Sequence, residues 1–440
     1  SGNFFNVMNI LLVSAYGAPR GQSARTYNFA RELVGLGHDV TFITNGFNHF
    51  TRKEYLDSKE RFRVEYIDGI RVLWLKTYPY HSNGPARFLN MLSNAWQAYF
   101  RSDLIKQPFD IVVGPSVPLF TALSGYFIAK KRKAKFVFEI RDVWPQALVD
   151  LGYLSQKSLI VRLLSMIEIF LYKKSNHIIS ALPFVYEHIS NYGVSKNKIS
   201  YIPNGVFIKP YKERNKVKES SKDIITLTYV GNFSATHGVS LILDCAARMQ
   251  DEPIKFVLIG ASKGYLKKFP SDNYKNVSIR PVIDKINVPM ELIKSDILIA
   301  SVKDTNVYQF GINSNKIYDY LAAGKPIIFS GNTPNNQIVE ADAGIVIPPD
   351  DIDALHDAIM KMLEMTPAQR SELGERGRKY AEKNLDVKIL SEKLIDIFVP
   401  KYQNIIVVNP LWNILKLVAL ENKVNIDYST LKQYDKSLVP

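Results

Sequence analysis

A single cysteine, Cys245, stands in a chain of 440 residues. It excludes an internal disulfide and a cysteine-based structural metal site, and it suits a reducing compartment. No run of about eighteen uninterrupted apolar residues occurs, so no transmembrane helix is expected. No basic segment precedes the first apolar stretch, so no secretory signal is expected either. Long Lys/Arg blocks are missing too. The 56 Lys+Arg against 42 Asp+Glu, a formal net charge of +14, are dispersed along the chain. Dispersion argues against a nucleic-acid partner, while the excess suits phosphorylated substrates or an anionic lipid surface. Half of it is also what plain solvation would use.

What is present reads as two α/β domains. The hydrophobic share is 46% and the charged share 22%, ordinary globular values, and the length exceeds one common core. Residues 7–16 form an apolar run that ends in a Gly/Pro-rich loop. Helical spacing follows through Tyr27, Ala30, Leu33 and Val34, then Gly37-His38-Asp39 and a second apolar run, 40–44. Strand, loop, helix, stop, strand is a parallel βαβ unit. Further buried strands are predicted at 110–114, 136–140, 178–181 and 199–202. The pattern restarts at 225–230 and continues at 255–259, 277–280, 297–300, 326–329 and 344–347. A polar, charged stretch at 209–222 reads as a linker. Residues 48–66 show no clean periodicity and read as a long loop or short helices. Two successive sheets imply a cleft where ligands meet the carboxyl ends of the strands.

The most informative segment is GINSNKIYDYLAAGKPII, residues 311–328. Gly311 to Asn315 reads as a loop exposing backbone N–H groups, with a helix starting near Asn315. A helix N-terminus favours phosphate through its open donors and its dipole. Lys316 adds a cation in the first turn, and Asp319, one turn on, is placed to accept from ribose hydroxyls. Gly324-Lys325-Pro326 stops the helix before a strand. The plain alternative is an ordinary helix with an N-terminal lysine and an exposed aspartate.

This segment resembles the donor-site signature of the retaining GT-B glycosyltransferases of family four that build bacterial surface polysaccharides. In that family a glutamate opens the loop and a second, eight positions later, binds the ribose. Asp319 stands at the second position and Gly311 at the first, so one carboxylate is missing. The sequence is similar to a branch whose loop ends in Asn/Ser-Lys, here Asn315-Lys316. The resemblance implies that Gly311, Ile312, Asn313, Ser314, Asn315 and Asp319 bind the donor. It further implies a GT-B fold: two Rossmann-like α/β domains facing each other across a cleft. The boundaries expected are an acceptor-binding domain at 1–207, a linker at 208–222 and a nucleotide-sugar-binding domain at 223–395. A C-terminal extension, 396–440, is expected to pack back on the body through an apolar part at 411–420.

A second segment is FVFEIRDVWPQALVDLG, residues 136–152. A strand brings Glu139, Arg141 and Asp142 to its carboxyl end, and Trp144-Pro145 turns the chain. Two carboxylates beside a guanidinium at a strand end are expensive unless paired or functional. The segment resembles the EVRDLWP motif of enzymes that move N-acetylated amino sugars onto lipid-linked acceptors. On that resemblance Asp142 orients or deprotonates the acceptor hydroxyl, Glu139 joins the catalytic set and Arg141 faces the acceptor. A structural Arg–carboxylate network is a compatible alternative.

Weaker signals fill in the cleft. In YVGNFSATHGVSLILDCAA, residues 229–247, Asn232 and His237-Gly238 stand where the family places cations against the diphosphate. Neither guarantees a charge at pH 7, since histidine titrates near about 6.5, so Lys316 must carry more of the neutralisation. Gly21-Gln22-Ser23-Ala24-Arg25 resembles the family's acceptor-side loop, with Gly21, Gln22 and Arg25 as acceptor contacts. Pro281 and Val282 end a strand where the family's backbone meets the nucleobase. Residues 202–206, IPNGV, read as structural, and Asp351-Ile352-Asp353 as a helix cap rather than a metal motif. No metal and no other cofactor is expected.

The reading is transfer of a sugar, of N-acetylated hexosamine type, from a UDP-sugar donor to a polyprenyl-diphosphate-linked saccharide acceptor with retention. Lys316 would stabilise the leaving diphosphate. The rivals are a UDP-sugar 2-epimerase on the same fold and a non-catalytic basic binding protein. Amphipathic stretches at 88–100 and 159–172, flanked by basic residues, suggest peripheral attachment to the inner face of the cytoplasmic membrane. Their plain alternative is burial in the N-terminal core.

Overall fold

The computed structural model describes residues 7–399 apart from 18, 20–24, 50–51, 82–83, 213–223, 235–236 and 269–273. Gly21 and Gln22, most of the expected linker and the extension beyond 399 therefore lie outside the described residues. Residues up to Ile395 form one compact unit that holds two sheets.

The first sheet has eight strands: β1 (Asn9–Val13), β2 (Asp39–Asn45), β3 (Phe62–Ile67), β4 (Ile70–Leu75), β5 (Ile111–Pro115), β6 (Lys135–Ile140), β7 (His177–Ser180) and β8 (Ile199–Tyr201). Their order is β3-β4-β2-β1-β5-β6-β7-β8. Every pairing is parallel except β3 with β4. The apolar runs read from the sequence are buried because helices cover both faces, as parallel sheets require. The helices of this half include α1 (Arg25–Gly35), α2 (Pro85–Arg101), α3 (Leu119–Arg132) and α4 (Leu159–Lys174).

Residues 62–66 belong to β3, the outer strand of an antiparallel hairpin, and not to a loop. Asp68 and Gly69 join β3 to β4 with positive φ of 50° and 78°. An Asp-Gly pair between alternating residues is the hairpin signal that could have found it.

The second sheet contains β9 (Ile225–Val230), β10 (Ile254–Ala261), β11 (Val277–Pro281), β12 (Ile297–Ser301), β13 (Ile327–Ser330) and β14 (Gly344–Ile347). All pairings are parallel, in the order β11-β10-β9-β12-β13-β14. That is the doubly wound order of dinucleotide-binding domains, whose switch point lies between the first and fourth strands. Here it lies between β9 and β12. In the first sheet the direction reverses between β1 and β5. Both switch points open onto the same cavity. Helices α5 (Val239–Arg248) and α6 (Asn315–Ala323) flank the second sheet. Asp351 caps the helix Ile352–Glu364 by accepting from Ala354 N at 2.9 Å, the role read for it. After the second sheet the chain returns to the end of the first half. Val206 N donates to Leu385 O at 2.8 Å, and Val387 N donates back to Val206 O at 3.2 Å.

Candidate active site

A cavity of about 470 Å³ lies between the carboxyl ends of the two sheets. One wall is Tyr16, Arg25, Val117, Arg141 and Asp142, delivered by the ends of β1, β5 and β6 and the start of α1. The other is the loop Gly311 to Asn315 with Lys316 and His237. Those residues, far apart in sequence, meet because each sits at a strand end, or in a loop or first helical turn that follows one, on the side of the cleft.

The loop wall is shaped by glycine and asparagine. Gly311 has φ 110°, and a Cβ there would fall 2.5 Å from Pro183 Cδ of the first half. Only glycine permits both the conformation and the close approach. Phe184 N also donates to Phe310 O at 3.2 Å, so this loop touches both halves. Asn335 holds it from below, accepting from Ile312 N at 2.7 Å. Helix α6 then begins. Its N-cap is Ser314, whose side chain makes no capping hydrogen bond. The orphan N–H groups of the first turn, with the positive end of the dipole, face the cavity.

Lys316 projects from that first turn. Its Nζ donates to Tyr229 Oη at 3.0 Å and sits 4.3 Å from the centroid of the same ring. A Cβ on Gly231 would fall 2.7 Å from Lys316 Cε, so that glycine makes room for the side chain. Burial pulls the Lys316 ammonium down to about 7 from its ordinary value. His237 beside it is lowered by burial and then by the charge of Lys316. It is therefore neutral at pH 7. Its Nδ1 lies 2.8 Å from the carbonyl oxygen of Asn232, which also accepts from Tyr229 Oη at 2.8 Å. Asn232 contributes that carbonyl to the loop, and its residue is exposed outside the cavity wall.

On the opposite wall Arg25 and Arg141 border the cavity with Glu139 behind them. Arg25 Nε meets Glu139 Oε1 at 2.6 Å, and Arg141 Nη2 meets Oε2 at 2.6 Å. Burial alone would raise the Glu139 carboxyl, but Arg141 and Arg25 together outweigh it and hold it at about 2. Glu139, expected in the catalytic set, is thus buried and paired with both guanidinium groups, a placement that positions the two arginines. Asp142 does border the cavity, its side chain open to the cleft yet ringed by protein. That enclosure raises its carboxyl, and Arg141 partly offsets the rise. Ser116 Oγ fixes the backbone by donating to Asp142 O at 2.9 Å.

Three further expected donor residues stand outside the cavity wall. Asp319 is buried beneath it, accepting from Tyr211 Oη at 2.8 Å and pairing with Lys285. With no ligand bound, its carboxylate is held by these protein partners. Pro281 and Val282 lie exposed at the end of β11.

Asn204 is the residue that sequence reasoning missed. Placed in a segment read as structural, it borders the cavity and ties its two walls. Its Nδ2 donates to Asn315 Oδ1 at 2.9 Å, and its Oδ1 accepts from Asn313 Nδ2 at 2.9 Å. Arg25 Nη1 lies 3.5 Å from the same Oδ1. No local signal marks these contacts, because the partners are more than a hundred residues away. Among the described residues no three His, Cys, Asp or Glu side chains gather as a metal-binding group.

Comparison with known proteins agrees with this architecture. Residues 20–205 match the glycosyl transferase 4-like domain, and residues 225–365 match the glycosyl transferases group 1 family. The chain is 23% identical over 391 residues to the colanic acid biosynthesis glycosyl transferase WcaI of Escherichia coli (strain K12), covering 83% of this chain and 92% of that one. Sucrose-phosphate synthase from Thermosynechococcus elongatus superposes with a TM-score of 0.66 at 15% identity, over 89% of this chain and 98% of that chain. HepE of Anabaena, solved with UDP and glucose, superposes with a TM-score of 0.62 at 14% identity, over 89% and 99%. Both share the fold of two Rossmann-like domains.

Proposed function

Because the chain belongs to the GT-B glycosyltransferases, with a 4-like N-terminal and a group 1 C-terminal domain, we propose that it moves a sugar from a UDP-sugar to a saccharide hydroxyl in surface-polysaccharide synthesis. The donor assignment draws on HepE, whose structures hold UDP, glucose and UDP-glucose. The pathway draws on the colanic acid relative. The observation that carries the reading is the opposition, across one cavity, of a cationic helix N-terminus and a carboxylate: Lys316 with the Gly311–Asn315 loop on one side, Asp142 on the other. Breaking the anomeric C–O bond puts negative charge on the departing diphosphate. The ammonium and the first-turn N–H groups stabilise that charge as it develops. The acceptor hydroxyl enters from the Asp142 side and attacks the anomeric carbon on the face the diphosphate leaves. The leaving phosphate takes its proton, so configuration is retained, and Asp142 orients the hydroxyl. The transferred sugar in this reading is an N-acetylated hexosamine.

Charge neutralisation is thus assigned to protein groups and not to a metal. Activity that survives EDTA is expected; loss with EDTA and rescue by magnesium would overturn that assignment. The acceptor is a lipid-linked saccharide, reached by peripheral attachment of the N-terminal half to the inner leaflet. Support comes from α4, which buries Leu164, Leu171 and Tyr172 in the core yet leaves other apolar side chains open: Leu159 is 79% exposed and Met166 67%. No described helix is long and apolar enough to cross a membrane. Vesicle sedimentation should show binding to anionic lipid at low salt that weakens at high salt. For the reaction itself, purified protein is incubated with UDP-sugars with and without acceptor, and the product's anomeric configuration is read by NMR. Asp142→Asn should lower turnover by about 100-fold while UDP binding stays within about twofold. A donor that is epimerised without any acceptor would replace transfer by epimerisation.

A further inference from the structure

Beside the central cavity, on the outer side of the first sheet, lies a second and less polar depression. It is a groove of about 970 Å³ between α2 and α3, walled chiefly by Tyr78, Leu89, Leu92, Trp96, Phe100 and Phe127. Trp96 is 67% exposed and Phe100 51%. A contiguous apolar surface of this kind is rarely left without a ligand in a soluble domain.

Two elements join this groove to the cavity. The junction of β5 and α3 places Val117 on the cavity wall and Phe120 on the groove wall. Helix α2 does the same through its first turn. The Arg87 guanidinium lies 5.7 Å from the ring centroid of Tyr16, which borders the cavity. The next residue, Phe88, packs edge-on against Phe120 at 5.3 Å. A second guanidinium, Arg52, lies over the Tyr80 ring at 4.7 Å and approaches His49 Nδ1 at 3.4 Å. The His49 ring is in turn 5.0 Å from Tyr16. Arg87 thus stands between Tyr16 of the cavity wall and, through its neighbour Phe88, Phe120 of the groove wall, with Arg52 in the aromatic cluster behind Tyr16. Arg101 and Lys106 rim the far end next to Trp96 and Phe100.

We propose that the groove between α2 and α3 holds the hydrocarbon tail of the acceptor, a polyprenyl chain, and that Arg87 and Arg52 bind the diphosphate joining this tail to the sugar in the cavity. Sugar, diphosphate and isoprenoid follow one another in such an acceptor in the order the surface presents. Guanidinium forks suit phosphate oxygens, and aromatic walls suit a branched, unsaturated chain. The proposal rests on the reading of the protein as a transferase acting on a lipid-linked acceptor.

The test uses the full chain, without vesicles, and synthetic saccharide diphosphates bearing no tail or one to four isoprene units. KM should fall on the order of tenfold per added unit while the tail still extends along the groove. Trp96→Ser combined with Phe100→Ser should bring the long-tail KM up towards the tail-less value. Arg87→Gln should narrow the preference for a diphosphate acceptor over a phosphate-free glycoside about tenfold. A KM independent of tail length in the unaltered protein would overturn the proposal while leaving transfer itself intact. The proposal also falls if the double variant keeps full tail dependence but loses vesicle binding, or turns a dimer into a monomer. In those cases the groove faces bilayer lipid or a second copy. Transfer to no acceptor of any length, with UDP still bound, would overturn both the proposal and the reading beneath it.

Discussion

At the scale of single residues, two buried charges decide what the cleft can do. Lys316 has a folded-state value near 7, well below the ordinary lysine value, because burial removes water from its ammonium. A diphosphate beside it restores the charged form, so donor binding takes up a proton wherever the apo lysine is neutral. The window runs from about pH 7 upward, and the affinity for UDP should fall as pH rises through it. Titration calorimetry at pH 8 in buffers of different ionisation enthalpy should register close to one proton taken up, and almost none in Lys316→Met. Glu139 is the opposite case. Its value is depressed, so the stability it supplies is present above the unfolded carboxylate range and is lost as pH falls towards about 2. Glu139→Gln leaves Arg25 and Arg141 facing each other in a buried site. Denaturant unfolding at pH 7 should show a loss of about 3–5 kcal/mol, the cost of breaking a buried ion pair from one side.

At the scale of elements, the loop Gly311–Asn315 and the helix it opens behave as one device. The helix is anchored to its sheet: Tyr320 Oη accepts from Val230 N at 2.7 Å. The loop is anchored across the cleft by Asn204. Asn204→Ala removes two hydrogen bonds of the loop wall without touching its backbone. Each such bond contributes about 1 kcal/mol. UDP affinity measured by fluorescence or calorimetry should weaken by about 5–30-fold, with far-UV circular dichroism unchanged. A variant with native affinity would show that the loop holds its shape unaided. Gly311→Ala should be harsher, because φ of 110° and contact with Pro183 both exclude a side chain.

At the scale of the whole molecule, two sheets with different edges share one cavity. Binding across it should therefore stabilise the folded state as a unit. With UDP at about 100 times its dissociation constant, the added stability is about 2.7 kcal/mol. Scanning calorimetry should show the melting temperature rise for both halves together. A shift confined to one of two resolved transitions would mean that the ligand meets only one half.

Much of this was legible in the chain. The strands read from apolar runs are found within two or three residues of their expected ends, because strands buried on both faces carry their own signature, although the equally buried β4 was not read. The loop–helix–glycine order at 311–324 was equally readable, since caps and stops are local chemistry. What the sequence could not determine is who meets whom. Arg25 and Glu139 are 114 positions apart, Asn204 and Asn315 are 111, and Lys316 and Tyr229 are 87. That two guanidinium groups enclose Glu139, and that Tyr211 and Lys285 hold Asp319, is marked by no local pattern. Residue type and local order are properties of the chain. Burial, and with it the charge state and availability of each group, is a property of the packed structure, because only packing removes water and brings distant partners within hydrogen-bond reach.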